Sequence, residues 1–249
     1  MSRSTYYRIP KVRESEEIAM EEAVIHCFKK NDRNYGRIRI KKALEREGIC
    51  ISENKISRIM KNNGLVAKSG RKGRKRTTKT SEAQYVEENL IKDKFEIVMP
   101  NKLWCSDFNE RVCKDGKFHT CGVIDVGSRR VVGWSFGLHQ RKELFQAAFE
   151  MAVGRNPERP ADAVFHSDRG CQYTAKKSKE LVEKHGFRKS MSRPGKPSDN
   201  QPIESFWRTL DCEMPDIRHL PFEVASRAVA RYIELYYNSE RLHSGIGYL

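Results

Sequence analysis

The sequence predicts an α/β protein: a mixed five-stranded sheet with helices on both faces, preceded by a small all-α domain that holds a helix-turn-helix. Three observations predict it. Residues 1–66 carry only helical periodicity. Residues 67–99 begin with a basic run that has no apolar periodicity. From residue 100 to residue 249, short apolar segments follow the order three strands, helix, strand, helix, strand, helix. A chain of 249 residues is long enough for one substantial core and an accessory domain.

Charge narrows the partner. Lys and Arg outnumber Asp and Glu by 48 to 33, a formal net charge of +15, so the expected partner is a polyanion. No run of about 18 apolar residues reads as a membrane span, and the N-terminus has no apolar signal segment. The seven cysteines include no C-x-x-C pair, which argues against a zinc site. Cys105, Cys113 and Cys121 are expected as small buried side chains in a reducing cytoplasm.

Residues 14–30 read as a helix with Ile18, Ile25 and Phe28 near one face. A second helix over 37–47 has Ile40, Ala43 and Leu44 on one face and ends at Gly48. Ser52 is a good N-cap for a third helix over 53–63, and Ile51 and Ile56 stand at hydrophobic-staple spacing. That helix buries Ile56, Ile59 and Met60 and stops at Gly64. Its outer face carries Asn54, Lys55, Ser57, Arg58 and Lys61, residue types that read guanine and adenine edges in a major groove. The following run contains Arg71, Lys72, Arg74, Lys75 and Arg76 and is expected to track phosphates as a linker.

In the larger domain, strands are expected at L-W-C-S-D-F-N-E-R-V, F-H-T-C-G-V-I-D-V-G and R-R-V-V-G-W-S-F-G, with short antiparallel connections. A helix over 141–153, a strand ending at Asp168, a helix over 174–186, a strand F-R-K-S-M-S and a closing helix over 222–237 complete it. This is the order of ribonuclease-H-like folds.

Three acids stand out. Asp107 lies in the first strand, Asp168 at the exit of the fourth, and Glu204 in the first turn of a helix entered through Asp199 and Asn200, either of which is placed to cap it. Ile203, Phe206, Trp207 and Leu210 form that helix's apolar stripe, and Glu204, Arg208 and Asp211 share another face. Phosphodiester chemistry uses two divalent ions roughly 4 Å apart, held by a few hard oxygen ligands. Carboxylates brought together for that purpose repel until metal binds. Asp125 also ends an apolar strand and is the rival candidate. His166 and His243 are expected to pack or hydrogen-bond.

The spacing, 60 residues between Asp107 and Asp168 and 35 between Asp168 and Glu204, resembles that of DDE transposases and retroviral integrases. The blocks P-N-K-L-W-C-S-D-F-N, G-V-I-D-V-G-S-R-R-V-V-G-W-S, F-H-S-D-R-G-C-Q-Y-T, S-M-S-R-P-G-K-P-S-D-N-Q-P-I-E-S-F-W-R-T-L and Y-N-S-E-R-L-H-S-G-I-G-Y-L are similar to those of the insertion-sequence-three transposase family. N-Y-G-R-I-R-I-K-K-A-L and I-S-R-I-M-K-N-N-G-L are similar to its helix-turn-helix. The resemblance implies the product of an insertion sequence's second reading frame, which frees a 3′-OH at the element's end and joins it to another phosphodiester without a covalent protein–DNA link. It implies Asp107, Asp168 and Glu204 as catalytic and metal-holding residues, two Mg2+ ions with Mn2+ as a substitute, and Asn200 and Arg208 on DNA.

It further implies double-stranded DNA as substrate, a homo-oligomer assembled on that DNA, an upstream reading-frame product as partner, and a bacterial, nucleoid-associated cytoplasmic setting. The sequence departs from the family at Asp211, where relatives usually carry Lys or Arg, at Gln201, where they often carry Ala, and at its end, where they usually run on. Those departures motivate a second expectation, a decayed DNA-binding copy that regulates its relatives. A ribonuclease-H-like nuclease that cuts without joining is the third.

Overall fold

The computed structural model describes residues 15–68, 87–91 and 99–249, and the chain divides between Ser69 and Gly70 into two compact units. The basic residues Arg71, Lys72, Arg74, Lys75 and Arg76 lie outside the described residues.

The first unit holds α1 (Ser15–Lys30), α2 (Arg37–Arg46) and α3 (Glu53–Asn62). The Ser52 hydroxyl accepts the Lys55 amide at 3.3 Å, which satisfies one of the open N–H groups of α3. Ile51 and Ile56 are both buried, as the staple requires. Gly48 and Gly64 end α2 and α3 in left-handed backbone, φ +79° and +62°, which glycine adopts without steric cost. The inward face of α1 differs from the expected one. Val24, Cys27 and Phe28 are buried and Ile18 is 44% exposed, because the i, i+3, i+4 set that meets α2 and α3 starts at Val24.

The second unit contains β1 (Leu103–Cys113), β2 (Gly116–Asp125), β3 (Val131–Gly137), α4 (Lys142–Arg155), β4 (Val164–Ser167), α5 (Cys171–Thr174), α6 (Lys176–Lys184) and β5 (Arg188–Met191). A 3-10 turn (Pro197–Asn200) leads into α7 (Gln201–Glu213), and α8 (Phe222–Arg231) continues as a π-helical turn (Tyr232–Tyr237). The sheet order is β3-β2-β1-β4-β5. The first three strands are antiparallel, and β4 and β5 join parallel to β1. This is the expected mixed, ribonuclease-H-like sheet.

Strand alternation sorts β1 onto two faces. Leu103, Cys105 and Cys113 belong to the core under α7 and α8, with Phe206, Trp207, Leu210 and Val229. Trp104 and Phe108 belong to the opposite core with Phe145 and Phe149 of α4 and Val182 of α6. Aromatic edges dominate that second face. Phe149 meets Phe165 at 5.2 Å and Phe145 meets Tyr173 at 5.0 Å, both edge-on.

Two expected helices are broken. Ala175 is extended between α5 and α6, and the Ser178 hydroxyl donates to the Gln172 carbonyl that the break leaves open, 2.6 Å. The closing helix is α-helical only to Arg231. The expected linker over 67–99 is also not linker throughout. Lys68 donates its amide to the Arg33 carbonyl and pairs with Asp32 in the first unit, whereas Asn89 and Ile91 are buried in the second.

Candidate active site

β1 and β4 bring the two aspartates together. Their parallel register ends with Ser106 beside Ser167, so Asp107 in β1 and Asp168, the first residue after β4, each follow directly from that last pair. Asp107 is buried, 7% exposed. Asp168 is half-buried, and its Oδ1 accepts the Gly170 amide at 2.9 Å in the turn that leaves the sheet.

The helix carrying Glu204 is tied to the same strand. Asn200 Nδ2 donates to the Ser106 carbonyl, 2.9 Å. Trp207 Nε1 donates to Asp107 Oδ2, 3.1 Å. Arg111 Nη2 donates to Asp211 Oδ1, 2.5 Å. Glu204 is half-buried one turn before Trp207, and residues three apart on a helix are neighbours on its surface. Gly122 makes the tie possible. It stands opposite Asp107 on β2, and a Cβ there would lie 2.8 Å from the Trp207 ring.

Beneath the aspartates, on the other face of β1, Ser106 Oγ and the Tyr173 hydroxyl share a 2.9 Å hydrogen bond beside Cys121 Sγ. Burial above all, with Asp107 and Asp168 adding to it against the hydrogen bonds from Ser106 and Tyr173, pushes the Cys121 thiol up to about 12. Tyr173 is held well above its ordinary value by burial first, then by Cys121, Asp168 and Asp107. Both aspartates thus act on one buried hydroxyl and one buried thiol.

Among the described residues, no three His, Cys, Asp or Glu side chains are gathered to hold a metal ion. The donor set fits a hard divalent cation in kind, since Asp107, Asp168 and Glu204 offer only carboxylate oxygens. The β1–β4 register places the first two side by side, and the Trp207 tie fixes the helix of the third.

Other expectations resolve differently. Asp125 is a turn cap: it accepts the amides of Asn101, Gly127 and Ser128 and the Ser128 hydroxyl, and that work removes it as a rival. Asn200 stands at the N-cap of α7 but makes no side-chain cap bond there. Asn200, expected on DNA, is instead buried with its amide committed to β1. Asp211, expected to repel DNA, is paired with Arg111. Burial lowers the Arg111 pKa, and Asp211 opposes that shift. Arg208 is exposed one turn beyond Glu204.

His166 is buried between the Ser190 and Ser192 hydroxyls, 2.8 and 3.0 Å. Burial lowers its pKa to about 4, with Asp199 opposing. His243 packs on Tyr237 and bonds its carbonyl. On α3, Asn54, Arg58 and Lys61 are exposed, while Lys55 leans to Glu17 of α1 at 4.0 Å.

Trp207, Tyr173 and Gly122 escaped the sequence reading as site residues. The available signals were a Trp with a single N–H donor in an apolar stripe, a Tyr five residues after Asp168, and a glycine inside an otherwise apolar strand.

Family models agree with this layout. The integrase core domain model matches residues 98–197, a second integrase core domain model matches 185–249, and an HTH-like domain model matches 14–73. The chain is 33% identical over 243 residues to the transposase for insertion sequence element IS904 of Lactococcus lactis subsp. lactis (strain IL1403), covering 97% of this chain and 95% of that protein. It is 33% identical over 256 residues to the uncharacterized 31 kDa protein of insertion element IS600 of Shigella sonnei, covering 99% and 92%. It is 31% identical over 228 residues to transposase InsF for insertion sequence IS3A of Escherichia coli (strain K12), covering 91% and 78%.

Proposed function

The chain belongs to the IS3 family of insertion-sequence transposases, and from that premise we propose that it frees a 3′-OH at the end of its element and joins it to a second DNA phosphodiester. Asp107, Asp168 and Glu204 would hold the divalent metal, two Mg2+ ions with Mn2+ as substitute. When bound, that metal supplies an activated attacking oxygen and a stabilised leaving oxygen. The observation that carries this reading is the Trp207–Asp107 hydrogen bond, which ties the Glu204 helix to the strand whose neighbour delivers Asp168.

The chain's own residues orient the DNA. Asn54, Arg58 and Lys61 of α3 meet base edges and phosphates in a major groove. Arg71, Lys72, Arg74, Lys75 and Arg76 follow the backbone, and Arg208 meets the strand held next to Glu204. Two DNA ends are handled in one reaction, so at least two protomers assemble on the DNA, with an upstream reading-frame product as a further partner. The Asp211–Arg111 pair presents neither charge alone, which weakens the argument for a decayed copy built on Asp211.

Asp107→Asn tests the reading. With a duplex bearing the element's own terminal repeat and Mg2+, the variant is expected to bind as the parent does and to lose end cleavage and strand transfer. Undiminished cleavage by a folded, DNA-bound variant would sink it.

A further inference from the structure

Residues 87–91 lie against the outer edge of the second unit's sheet, beyond β5. The Glu88 carbonyl accepts the Met191 amide at 3.4 Å, the Leu90 amide donates to Ser190 Oγ at 3.0 Å, and Lys179 of α6 holds Glu87 at 2.6 Å. Ile91 is buried in the core that contains Ile203 and Phe206 of α7. Asn89 is 8% exposed, and its amide has one orientation: Oδ1 accepts the Ile91 amide at 2.9 Å, which leaves Nδ2 to donate to Asp199 Oδ2 at 2.7 Å.

Asp199 is fully buried and also takes the Arg193 amide and guanidinium at 2.7 to 3.0 Å. A buried carboxyl with several donors is rigid, because losing one donor leaves an unsatisfied polar atom. The next residue, Asn200, donates to the Ser106 carbonyl beside Asp107. The same segment reaches the other aspartate. Ser190, which accepts the Leu90 amide, also bonds His166 Nδ1, two residues before Asp168. Residues 87–91 therefore stand behind Asp107, Asp168 and the entry of the Glu204 helix.

We propose that residues 87–91 are a positioning element of the candidate active site, with Asn89 as the residue that sets the entry of α7 through Asp199. This rests on the reading of Asp107, Asp168 and Glu204 as the reacting set. Asn89 touches no substrate. It fixes where Glu204 stands relative to the aspartates, and displacements of about 1 Å from a distant change cost up to about a hundredfold in rate.

The test uses the full chain. Asn89→Asp sets a second carboxyl against Asp199, Asn89→Ala removes the donor, and Glu180→Gln, at an exposed position of α6 outside the segment, is the control. Folding is followed by thermal unfolding, DNA binding by titration, and chemistry by single-turnover end cleavage with Mn2+ varied. The account predicts that Asn89→Asp, at a temperature where it is folded, cleaves at least about tenfold more slowly. Its Mn2+ requirement moves to higher concentration, its DNA affinity does not change, and Glu180→Gln matches the parent.

A rate and Mn2+ dependence equal to the parent's in folded Asn89→Asp and Asn89→Ala would overturn the proposal. So would a rate loss that follows only the folded fraction. If the parent itself shows no metal-dependent cleavage, the functional reading has failed instead, and amide exchange then decides the proposal. Asn89→Asp must lose protection across Asn200 to Glu204 relative to the parent, and unchanged protection there overturns the proposal.

Discussion

α3 and α7 both present side chains to DNA in this account, and they are built in opposite ways. α3 is closed at its start by a side-chain cap from Ser52, buries Ile56 and Ile59, and leaves Asn54, Arg58 and Lys61 exposed. α7 has no side-chain cap, yet Asn200, Trp207 and Asp211 stitch it to Ser106, Asp107 and Arg111 along one strand. The difference teaches how each surface works. A nucleic-acid-reading face needs donors left open to a partner, so the helix is stabilised from its far side. A reacting set needs its members held within a fraction of an ångström, so the functional face itself is tied down.

Breaking the α7 side should cost most. Asp168→Asn is expected to slow end cleavage on the order of 10³-fold or more with DNA binding retained, measured by single-turnover kinetics at saturating protein. The buried polar groups around it should also give the second unit a pH response. Lys189 is buried and donates to the Tyr173 carbonyl, and burial lowers its pKa from 10.5 to about 8. Its folded pKa is depressed, so the unfolded chain binds more protons between those values. The Lys189 contribution is therefore full above 10.5 and lost as pH falls towards 8. Relative to Lys189→Met, the parent should gain up to about 3 kcal/mol in urea unfolding as pH rises through that window.

Trp207→Phe keeps a ring in the core and removes the donor to Asp107. It should cost about 1–3 kcal/mol of stability and about tenfold in cleavage rate. An unchanged rate would remove the tie from the account. Asp211→Ala leaves Arg111 buried without its partner. With Asp211 60% exposed, the expected loss is about 1–2 kcal/mol, read by chemical denaturation. The α3 side should respond least in stability and only in binding. Arg58→Ala is expected to change unfolding by less than about 0.5 kcal/mol and to lower the salt slope of DNA binding by about 1.

The same contrast explains what was legible in the sequence. Strands β1, β2 and β3 could be read because their apolar residues alternate or run together and their turns carry Gly and Asp. The pair Asp107 and Asp168 could be read because each interrupts or ends an apolar strand. The ties could not. Trp207 looks the same in an apolar stripe whether or not its N–H is used, and Asn200 looks like an exposed cap until Ser106 is seen above it. Asn89 lies in the stretch read as linker, and nothing in the neighbouring sequence announces its bond to Asp199, 110 residues away. The α5–α6 break at Ala175 was hidden because Ala is a strong helix former, and Ser178 overrides it by satisfying Gln172. Local composition carries the elements. Which donor meets which acceptor is decided by chain segments far apart in sequence.

The central claim is that α7 brings Glu204 to act with Asp107 and Asp168. Single-turnover release of a 3′-OH from a terminal-repeat duplex in Mg2+, compared between the parent and Glu204→Gln at equal DNA occupancy, tests it most directly. The account predicts cleavage by the parent and a rate on the order of 10³-fold lower for the variant. Equal rates, or no cleavage by the parent, would contradict it.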